Sequence, residues 1–364
     1  MNTCINEKGT EKYIEKETPR EILEKIFKLK NILDGQILIL GHHYQQDDII
    51  QFADKTGDSF ELSKYAAKEQ DKKYIIFCGV HFMAETADIL TGDDQIVILP
   101  DLAAGCSMAD MASLEDVEVA YNLLSKDSKK KIIPITYINS TAEIKAFVGE
   151  KGGIVCTSSN AKNAIEWAFN RGEQIIFLPD QHLGRNTAYK MGISLEEMYL
   201  WDPKNIPSIS LMEEINKKKI ILWKGHCSVH MNFASEHVDL MRKKYPDVNI
   251  IVHPECRFEV VQKADISGST SFIIKTIENA PSGTRWAIGT EHHLVNRLQK
   301  RFPDKIITTL APFTCQCATM YRISPEMLLK SMESLADGKV INQVKVSDDV
   351  KKFSRLALER MLEL

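Results

Sequence analysis

The order of apolar runs along this chain is the feature that most restricts its fold. From about Arg20 onward, short β-branched runs alternate with stretches of helical periodicity of roughly ten to fifteen residues. This alternation is typical of βαβ units, which build parallel sheets covered by helices. Thr18-Pro19-Arg20-Glu21 has the pattern of a capping box and predicts where the first helix begins, after a loose polar arm over residues 1–17. We therefore expect an α/β fold.

The runs also form a weak internal repeat, because three groups of predicted strands end in similar residues at similar spacing. The first strand of each group runs into a polar segment: Gly41-His42-His43-Tyr44-Gln45, Tyr137-Ile138-Asn139-Ser140 and His253-Pro254-Glu255-Cys256. The second strands are residues 74–78, 154–156 and 264–266, and the third are 96–100, 175–179 and 286–289. Since ligands of open α/β sheets bind beyond the carboxyl ends of the strands, three such units around one axis predict a central site.

Bulk properties exclude several classes of protein. With 364 residues, 44% of them hydrophobic, the chain can bury a large core in two or three domains. A net charge of -4 with mixed signs favours neither a nucleic-acid nor a membrane partner. The N-terminal arm has no apolar signal region, and no run approaches the roughly 18 apolar residues of a membrane span. We expect a cytoplasmic protein.

The eight cysteines are not expected to form a disulfide framework in such a protein. Cys106, Cys227 and Cys317 each follow a predicted strand in a separate part of the chain. Singly, each is as easily a small buried hydrophobe as a ligand. Together, three converging thiolates would hold a soft metal or an iron–sulfur cluster and leave one coordination position open. Cys106 is also expected to begin a helix, which would favour its thiolate, and Cys315 is an alternative to Cys317.

Three serine-bearing turns open predicted helices, and two interpretations of them stay open. The turns are Gly57-Asp58-Ser59, Thr157-Ser158-Ser159-Asn160 and Gly268-Ser269-Thr270. Such residues ordinarily cap helices. Helix N-termini facing one axis would equally suit a substrate that carries carboxylates and a phosphate.

The chain resembles the quinolinate synthase family, the iron–sulfur enzymes of de novo NAD biosynthesis, from about Arg20 to Asn342. Several of the segments above carry this resemblance. Those added here are Met83-Ala84-Glu85-Thr86-Ala87, Gly105-Cys106-Ser107-Met108-Ala109-Asp110, Gly225-His226-Cys227-Ser228-Val229-His230 and Cys317-Ala318-Thr319-Met320.

The resemblance implies a fold, a reaction and a cofactor. The fold is three similar αβα domains with short parallel sheets, arranged as a pseudo-threefold triangle around a central cluster. The reaction condenses iminoaspartate (iminosuccinate) with dihydroxyacetone phosphate to quinolinate, phosphate and water. The cofactor is one [4Fe-4S] cluster per chain, with three cysteine ligands and one open iron. An aspartate oxidase or dehydrogenase that supplies iminoaspartate is a possible transient partner.

The resemblance also implies the residues of the site. The cluster ligands fall on Cys106, Cys227 and Cys317. The residues expected to contact substrate are His42, Tyr44, Ser59, Met83, Tyr137, Asn139, Ser158, His253, Glu255, Ser269 and Thr270. Among them we assign proton transfer to Glu255 and His253, and polarisation of carbonyl and hydroxyl oxygens to Tyr137, His42 and Tyr44. The open iron would act as a Lewis acid that eases loss of water.

We divide the chain into domains at residues 1–104, 105–215 and 216–344, and expect the C-terminal helix, residues 345–364, to pack on the first.

Two other functions remain as alternatives. One is a cluster-free aldolase that uses Lys224 as a Schiff-base lysine. The other is a protein that binds small anions or senses a metal without catalysis.

Overall fold

Three parallel β-sheets and the helices around them make up this protein in a computed structural model that describes residues 17–126 and 130–364. Outside these ranges it describes only an antiparallel pair of two-residue strands, β1 (Cys4–Ile5) and β2 (Glu11–Lys12). The predicted arm, residues 1–17, therefore lies almost wholly outside the described residues. The α/β class expected from the sequence is confirmed.

The first unit begins with a capped helix and contains a five-stranded sheet. Its elements are α1 (Pro19–Ile32), β3 (Ile37–His42), α2 (Asp47–Ile50), β4 (Lys55–Gly57), α3 (Ser59–Lys68), β5 (Tyr74–Cys78), α4 (His81–Leu90) and β6 (Ile96–Ile98). The predicted capping box is present, because the Glu21 amide donates to Thr18 Oγ1 at 3.3 Å and the Thr18 amide donates to Glu21 Oε2 at 2.7 Å. Four of the five strands lie in the order β6-β5-β3-β4 with all three of their pairings parallel, and the fifth comes from near the end of the chain.

The second unit repeats this arrangement. Its elements are α5 (Leu114–Lys126), β7 (Ile132–Tyr137), α6 (Ala142–Glu150), β8 (Ile154–Cys156), α7 (Ala161–Phe169), β9 (Gln174–Leu178), α8 (Gln181–Lys190), β10 (Met198–Trp201), α9 (Ile209–Ile215) and β11 (Ile220–Trp223). The parallel strand order is β10-β11-β9-β7-β8. The strand Ile220–Trp223 pairs with β9, so it belongs to this sheet, although the predicted boundary between residues 215 and 216 placed it in the third domain.

The third unit has a four-stranded parallel sheet of order β13-β12-β14-β15. Its elements are α10 (Ser235–Lys244), β12 (Asn249–Val252), α11 (Phe258–Lys263), β13 (Ile266–Ser267), α12 (Thr270–Asn279), β14 (Arg285–Gly289), α13 (His292–Arg301) and β15 (Ile306–Thr309). After it, α14 (Pro325–Ala336) packs on α1, and β16 (Gln343–Val344) adds an antiparallel strand to β6 in the first sheet. The chain ends in α15 (Asp348–Leu362).

The three sheets align strand by strand, but not with the pairing that the sequence predicted. The equivalent sets are β4, β8 and β13; β3, β7 and β12; β5, β9 and β14; and β6, β11 and β15. The predicted repeat lacked β4, and it therefore matched β5 with the wrong strands of the other units. The omission has a physical cause: β4 has only three residues, Lys55–Gly57, and two of them are exposed, so no apolar run marks it.

The C-terminal helix joins two units. It packs closely on α6 and β8 of the second unit, whereas the sequence assigned it to the first. It also reaches α4 of the first unit, where Lys351 Nζ lies 2.9 Å from Asp88 Oδ2 and Arg355 Nη2 donates to the Thr91 carbonyl at 3.2 Å. One apolar core correspondingly spans the first two units, and two smaller clusters fill the third. None of the described helices has the length and apolarity to cross a bilayer.

We expect Gly149→Ala to destabilise the contact between α6 and α15. A Cβ at Gly149 would overlap the carbonyl oxygen of Phe353, which is backbone and cannot move without moving α15. Overpacking of this kind costs about 3 kcal/mol, which thermal unfolding measures. Gly92→Ala is the control, since its nearest neighbour there would be Gln95 Oε1 at 3.6 Å. Equal midpoint temperatures of thermal unfolding for Gly149→Ala and Gly92→Ala would contradict this packing of α6 against α15.

A candidate active site between the three sheets

A pocket lies where the carboxyl ends of the three sheets meet, and every unit contributes to it. Of the predicted site residues, all except Ser269 line it. The first unit supplies His42, Tyr44, Ser59, Met83 and Cys106, the second supplies Tyr137, Asn139, Ser158 and Cys227, and the third supplies His253, Glu255, Thr270 and Cys317. The arrangement brings together residues that are up to 275 positions apart in the chain.

The three cysteines occupy equivalent positions, because each follows the equivalent strand of its unit. In each unit one strand, β5, β9 or β14, lies at the centre of the sheet, and the amide that begins the helix after this central strand donates to the carbonyl two residues before the cysteine. The bonds are His81 to Ala104 at 2.8 Å, Gln181 to Gly225 at 3.0 Å and His292 to Cys315 at 2.9 Å. A 3-10 turn then begins three residues after each cysteine, at Ala109–Met111, His230–Asn232 and Met320–Arg322. The same local structure thus presents Cys106, Cys227 and Cys317 to one pocket.

Two details of these connections differ from the sequence-based expectations. The next α-helix after Cys106 begins only at Leu114, so no α-helix N-terminus lies at the thiol. Gly225 allows close backbone approach, because a Cβ there would overlap the carbonyl oxygen of Pro179, whereas Gly105 faces open space. Of these two glycines, only Gly225 is required by packing.

Burial, rather than a helix dipole, controls the ionisation of the three thiols. Desolvation raises the pKa of Cys106 to about 12 and raises the pKa values of Cys227 and Cys317 as well. The expectation of a lowered thiol pKa at Cys106 is therefore wrong for the protein alone. A metal cation supplies the positive charge that would turn these thiols into thiolate ligands.

Cys315 is placed differently from Cys317. Its thiol is buried in the core of the third unit, close to Cys256 and 3.9 Å from the carbonyl oxygen of Phe313, and does not line the pocket. Cys317 is partly exposed and lies 3.5 Å from the hydroxyl of Thr319, which also lines the pocket. This placement favours Cys317 as the third thiol of the site.

Glu255 is a buried acid of the pocket and is only 3% exposed. His230 Nδ1 lies 2.8 Å from its Oε2, and Tyr137 donates a second hydrogen bond. Burial alone would raise the pKa of this carboxyl, but His253, His230 and these hydrogen bonds outweigh it and hold the pKa below the usual range. Glu255 is therefore a carboxylate that accepts hydrogen bonds.

Four other ionisable side chains of the pocket, two phenols and two imidazoles, are neutral. Burial, with the nearby carboxylate, raises the pKa of Tyr137 and of Tyr44 well above 10, so both phenols keep their protons. Burial lowers the pKa of His42 and of His253 to about 3, so both imidazoles are uncharged near neutrality. A carboxylate, two phenols and two neutral imidazoles make a set suited to general acid–base chemistry.

The serine-bearing turns divide into capping and pocket-lining residues. Asp58 caps α3 by accepting from the amides of Phe60 and Glu61, which leaves Ser59 at the pocket. Ser269 Oγ accepts from the amide of Phe272 at 3.3 Å and caps α12, so it does not line the pocket, whereas its neighbour Thr270 does. Ser269, which was predicted to contact substrate, instead caps a helix.

Sequence reasoning missed His230 and Thr290, which bond to the residues of the pocket. Cys227, His230 and Glu255 each place one potential ligand atom within 4.8 Å of the others, a group that could hold a metal ion. The spacing Cys227-x-x-His230 was a signal for His230, because Cys-x-x-His is a familiar ligand spacing. Thr290 offered no such signal, since nothing around it in sequence marks it as more than the residue before a helix cap.

The predicted alternative of a Schiff-base lysine is wrong. Lys224 Nζ pairs with Asp202 Oδ2 at 2.6 Å, and about half of its side chain is exposed. It does not line the pocket. A Schiff-base lysine is typically desolvated in a hydrophobic pocket, whereas this side chain is solvated and paired with a carboxylate.

We expect the rings of His42 and His253 not to titrate between pH 8 and 5, because their pKa values are about 3. Below pH 6.5 the unfolded chain protonates both rings while the native protein does not. Acidification from pH 6.5 to 5 therefore lowers the free energy of unfolding, by about 1.4 kcal/mol per pH unit for each ring. Ring chemical shifts in NMR check this, with the urea-unfolded protein as control; shifts that move near pH 6.5 in the native protein would contradict it.

Comparison with known proteins agrees with this architecture. The quinolinate synthetase A protein family matches residues 24–363. A quinolinate synthase of Anoxybacillus flavithermus is 56% identical over 342 residues, which is 94% of this chain and 93% of that protein. Quinolinate synthases of a Geobacillus species and of Acidobacterium capsulatum are also 56% identical, each over 94% of this chain and over 94% and 92% of their own lengths. The chain belongs to the quinolinate synthetase A family.

Proposed function

We propose that this protein is a quinolinate synthase that condenses iminoaspartate with dihydroxyacetone phosphate and releases phosphate and water. The observation that carries this proposal is the single pocket into which three separate units each bring one cysteine, beside a carboxylate, two phenols and two neutral imidazoles. Membership of the family supports the same reaction. The cytoplasmic setting expected from the sequence stays a prediction.

The donor set of the pocket fits a [4Fe-4S] cluster. Cys106, Cys227 and Cys317 would hold it, because thiolates are the ligands that iron–sulfur clusters take and these three thiols share one pocket. Three ligands for four irons leave one iron without a protein ligand. When bound, the cluster supplies a Lewis acid open to substrate.

Glu255 is the group we assign to proton abstraction. Its carboxylate is ionised and buried at the pocket wall, so it is in the form that can accept a proton from a substrate within hydrogen-bond reach. Tyr137 keeps its proton and donates a hydrogen bond to this carboxylate, so it orients the base. To polarise an oxygen of the substrate, its hydroxyl would turn from Glu255 to that oxygen. His42 and His253 are neutral. Their Nδ1 atoms accept from the amides of Tyr44 at 3.1 Å and Glu255 at 3.3 Å, so each ring carries its proton on Nε2 and can donate from there to substrate.

The residues assigned to substrate binding offer complementary polar atoms. Asn139 Oδ1 is buried without a hydrogen-bond partner in the part of the chain that the structure describes. An unpaired buried amide oxygen is costly, and a donor on the substrate, such as an imine or hydroxyl group, would satisfy it. Ser59, Ser158 and Thr270 lie at or beside the starts of helices, where amides and hydroxyls stabilise carboxylate and phosphate groups.

Iminoaspartate hydrolyses in water, so it has to be formed shortly before it is used, and oxidation of the amino group of aspartate forms it directly. An aspartate oxidase or dehydrogenase is the class of enzyme that we propose as its source. Transient contact with that enzyme would shorten the time that the imine spends in solution.

We expect anaerobically purified protein to contain about four irons and four sulfides per chain and to form quinolinate from the two substrates. Cys106→Ala, Cys227→Ala and Cys317→Ala each remove one of the three thiols of the pocket and should abolish both the cluster and the turnover. Iron and sulfide assays, with chromatographic detection of quinolinate, measure the outcome.

Cys315→Ala is the matched control, because its thiol lies two residues from Cys317 but faces the core of the third unit. It should retain iron and activity. Loss of iron in this variant with retention in Cys317→Ala would contradict the assignment of the third ligand. An active protein without iron would contradict the proposed cofactor.

A further inference from the structure

The helix that follows the central strand of each unit also contacts a neighbouring unit. These helices are α4, α8 and α13, and the first amide of each holds the cysteine loop of its own unit. The sixth residue of α8 is Asn186, and the sixth residue of α13 is Arg297. Both side chains reach across a unit boundary to a loop that bears acid–base residues of the pocket.

Asn186 holds the backbone on both sides of Glu255. Its Nδ2 atom donates to the carbonyl of Pro254 at 2.8 Å and to the carbonyl of Cys256 at 2.9 Å. Asn186 is only 4% exposed, and its Oδ1 atom has no hydrogen-bond partner in the part of the chain that the structure describes. An unpaired buried amide oxygen is costly, so the two bonds to the loop of the third unit explain why a polar side chain is kept there.

Arg297 holds the backbone on both sides of Tyr44 in the same way. Its Nη1 atom donates to the carbonyl of His43 at 2.9 Å, and its Nη2 atom donates to the carbonyl of Gln45 at 2.5 Å. Its Nε atom donates to Asp47 Oδ1 at 3.0 Å. All three nitrogens of the guanidinium group therefore bond to the first unit, in a planar fork that a lysine cannot reproduce.

The two loops held in this way have the same internal structure. In each loop the amide two residues after a histidine donates to the Nδ1 atom of that histidine: Tyr44 to His42 at 3.1 Å, and Glu255 to His253 at 3.3 Å. The amide three residues after the histidine donates to its carbonyl, at 2.9 Å in the first unit and at 3.0 Å in the third. Tyr44 and Glu255 thus occupy equivalent positions.

The first unit holds the loop of the second unit with a different side chain. The sixth residue of α4 is Thr86, whose hydroxyl donates to a carbonyl of its own helix. The residue before it, Glu85, accepts from the Ala142 amide at 3.1 Å, where α6 begins just after the loop that bears Tyr137 and Asn139. The three contacts therefore run in one direction around the pocket: the first unit holds the second, the second holds the third and the third holds the first.

We propose that Asn186, Arg297 and Glu85 are positioning residues of the site, and we call them the clasp residues. Each fixes the acid–base loop of a neighbouring unit relative to the helix that holds the cysteine loop of its own unit. The inference deepens the proposed function and rests on it wherever turnover is measured, because Tyr44 and Glu255 take part in the proposed chemistry. No clasp residue lines the pocket, so each acts through the loop that it holds.

Asn186→Leu and Gln174→Met test the clasp as a matched pair. Gln174 is also a buried amide whose nitrogen donates to two carbonyls, those of Ile215 and Lys218, but both belong to its own unit. We expect Asn186→Leu to lower the single-turnover rate of quinolinate formation by about 10²-fold, the usual loss for a misplaced catalytic group, with little change in KM. Gln174→Met should lower the midpoint of thermal unfolding by a similar amount and leave the rate unchanged. Iron content should be unchanged in both.

Two further comparisons separate positioning from a general loss of stability. Changes that act through one group do not multiply, so Asn186→Leu/Glu255→Gln should be no slower than Glu255→Gln alone. Arg297→Lys keeps the charge but loses the fork and should lower the rate. Arg301→Lys is the same change one turn further along α13, and it should not lower the rate, because Arg301 pairs with Glu278 of its own unit.

Amide hydrogen exchange tests the clasp without any measurement of turnover. The amides of residues 255 and 256 should exchange about tenfold faster in Asn186→Leu, because the loop loses the hydrogen bonds that hold it. Those of residues 43–45 should do so in Arg297→Lys. Each variant should leave the other loop unchanged, so the two loops are controls for one another. Arg297→Lys carries the test by itself if Asn186→Leu does not fold.

Any of three results would overturn the clasp. They are equal rates for Asn186→Leu and Gln174→Met, a double variant slower than Glu255→Gln alone, and unchanged exchange in the loop beside a substituted clasp residue. Absence of quinolinate from the unaltered protein would instead overturn the proposed function. Faster exchange confined to the expected loop would support the clasp in that case as well.

Discussion

The site depends on one hydrogen bond that is made three times. In each unit the amide that follows the central strand donates to the carbonyl two residues before the cysteine, at 2.8, 3.0 and 2.9 Å. This bond ties the loop after one strand to the start of the helix after the neighbouring strand, where the carboxyl edge of a parallel sheet gathers its loops. The position of each thiol is therefore set by the sheet of its own unit, and the meeting of three thiols follows from the meeting of three sheets.

The chemistry of the pocket follows from the burial of its side chains. Burial keeps Tyr44, Tyr137, His42 and His253 neutral, while two histidines and a phenol around Glu255 keep that residue ionised. The Glu255 carboxylate thus shares the pocket with the neutral phenols and imidazoles of these four residues. The same burial opposes ionisation of the three thiols, so cation binding and thiolate formation are coupled there.

Much of the architecture could be predicted from local sequence pattern, and the errors have local causes. Alternating apolar and helical stretches indicated three α/β units, and polar residues after strands indicated the edge at which the pocket lies. The strand β4 escaped detection because two of its three residues are exposed, which misaligned the repeat. The strand β11 follows a short helix, so in sequence it looks like the first strand of the third unit, although it pairs with β9.

The connections between units could not be predicted in this way. Thr290 bonds to Tyr44 across 246 residues and to His230 across 60, and no periodicity or motif records such a contact. The same is true of α15, whose apolar face does not specify whether α4 or α6 covers it. Resemblance to a family indicated most of the pocket residues, whereas the hydrogen bonds that His230 makes to Glu255 and Thr290 required the structure.

Iron-edge anomalous diffraction from anaerobically grown crystals tests most directly the claim that three units share one cofactor. The account predicts a single iron density bonded to Cys106, Cys227 and Cys317, with Fe–S distances of about 2.3 Å, no iron at Cys315, and both nitrogens of His230 still hydrogen-bonded to Glu255 and Thr290. Iron held instead by Cys227, His230 and Glu255, with Cys106 and Cys317 free, would contradict it.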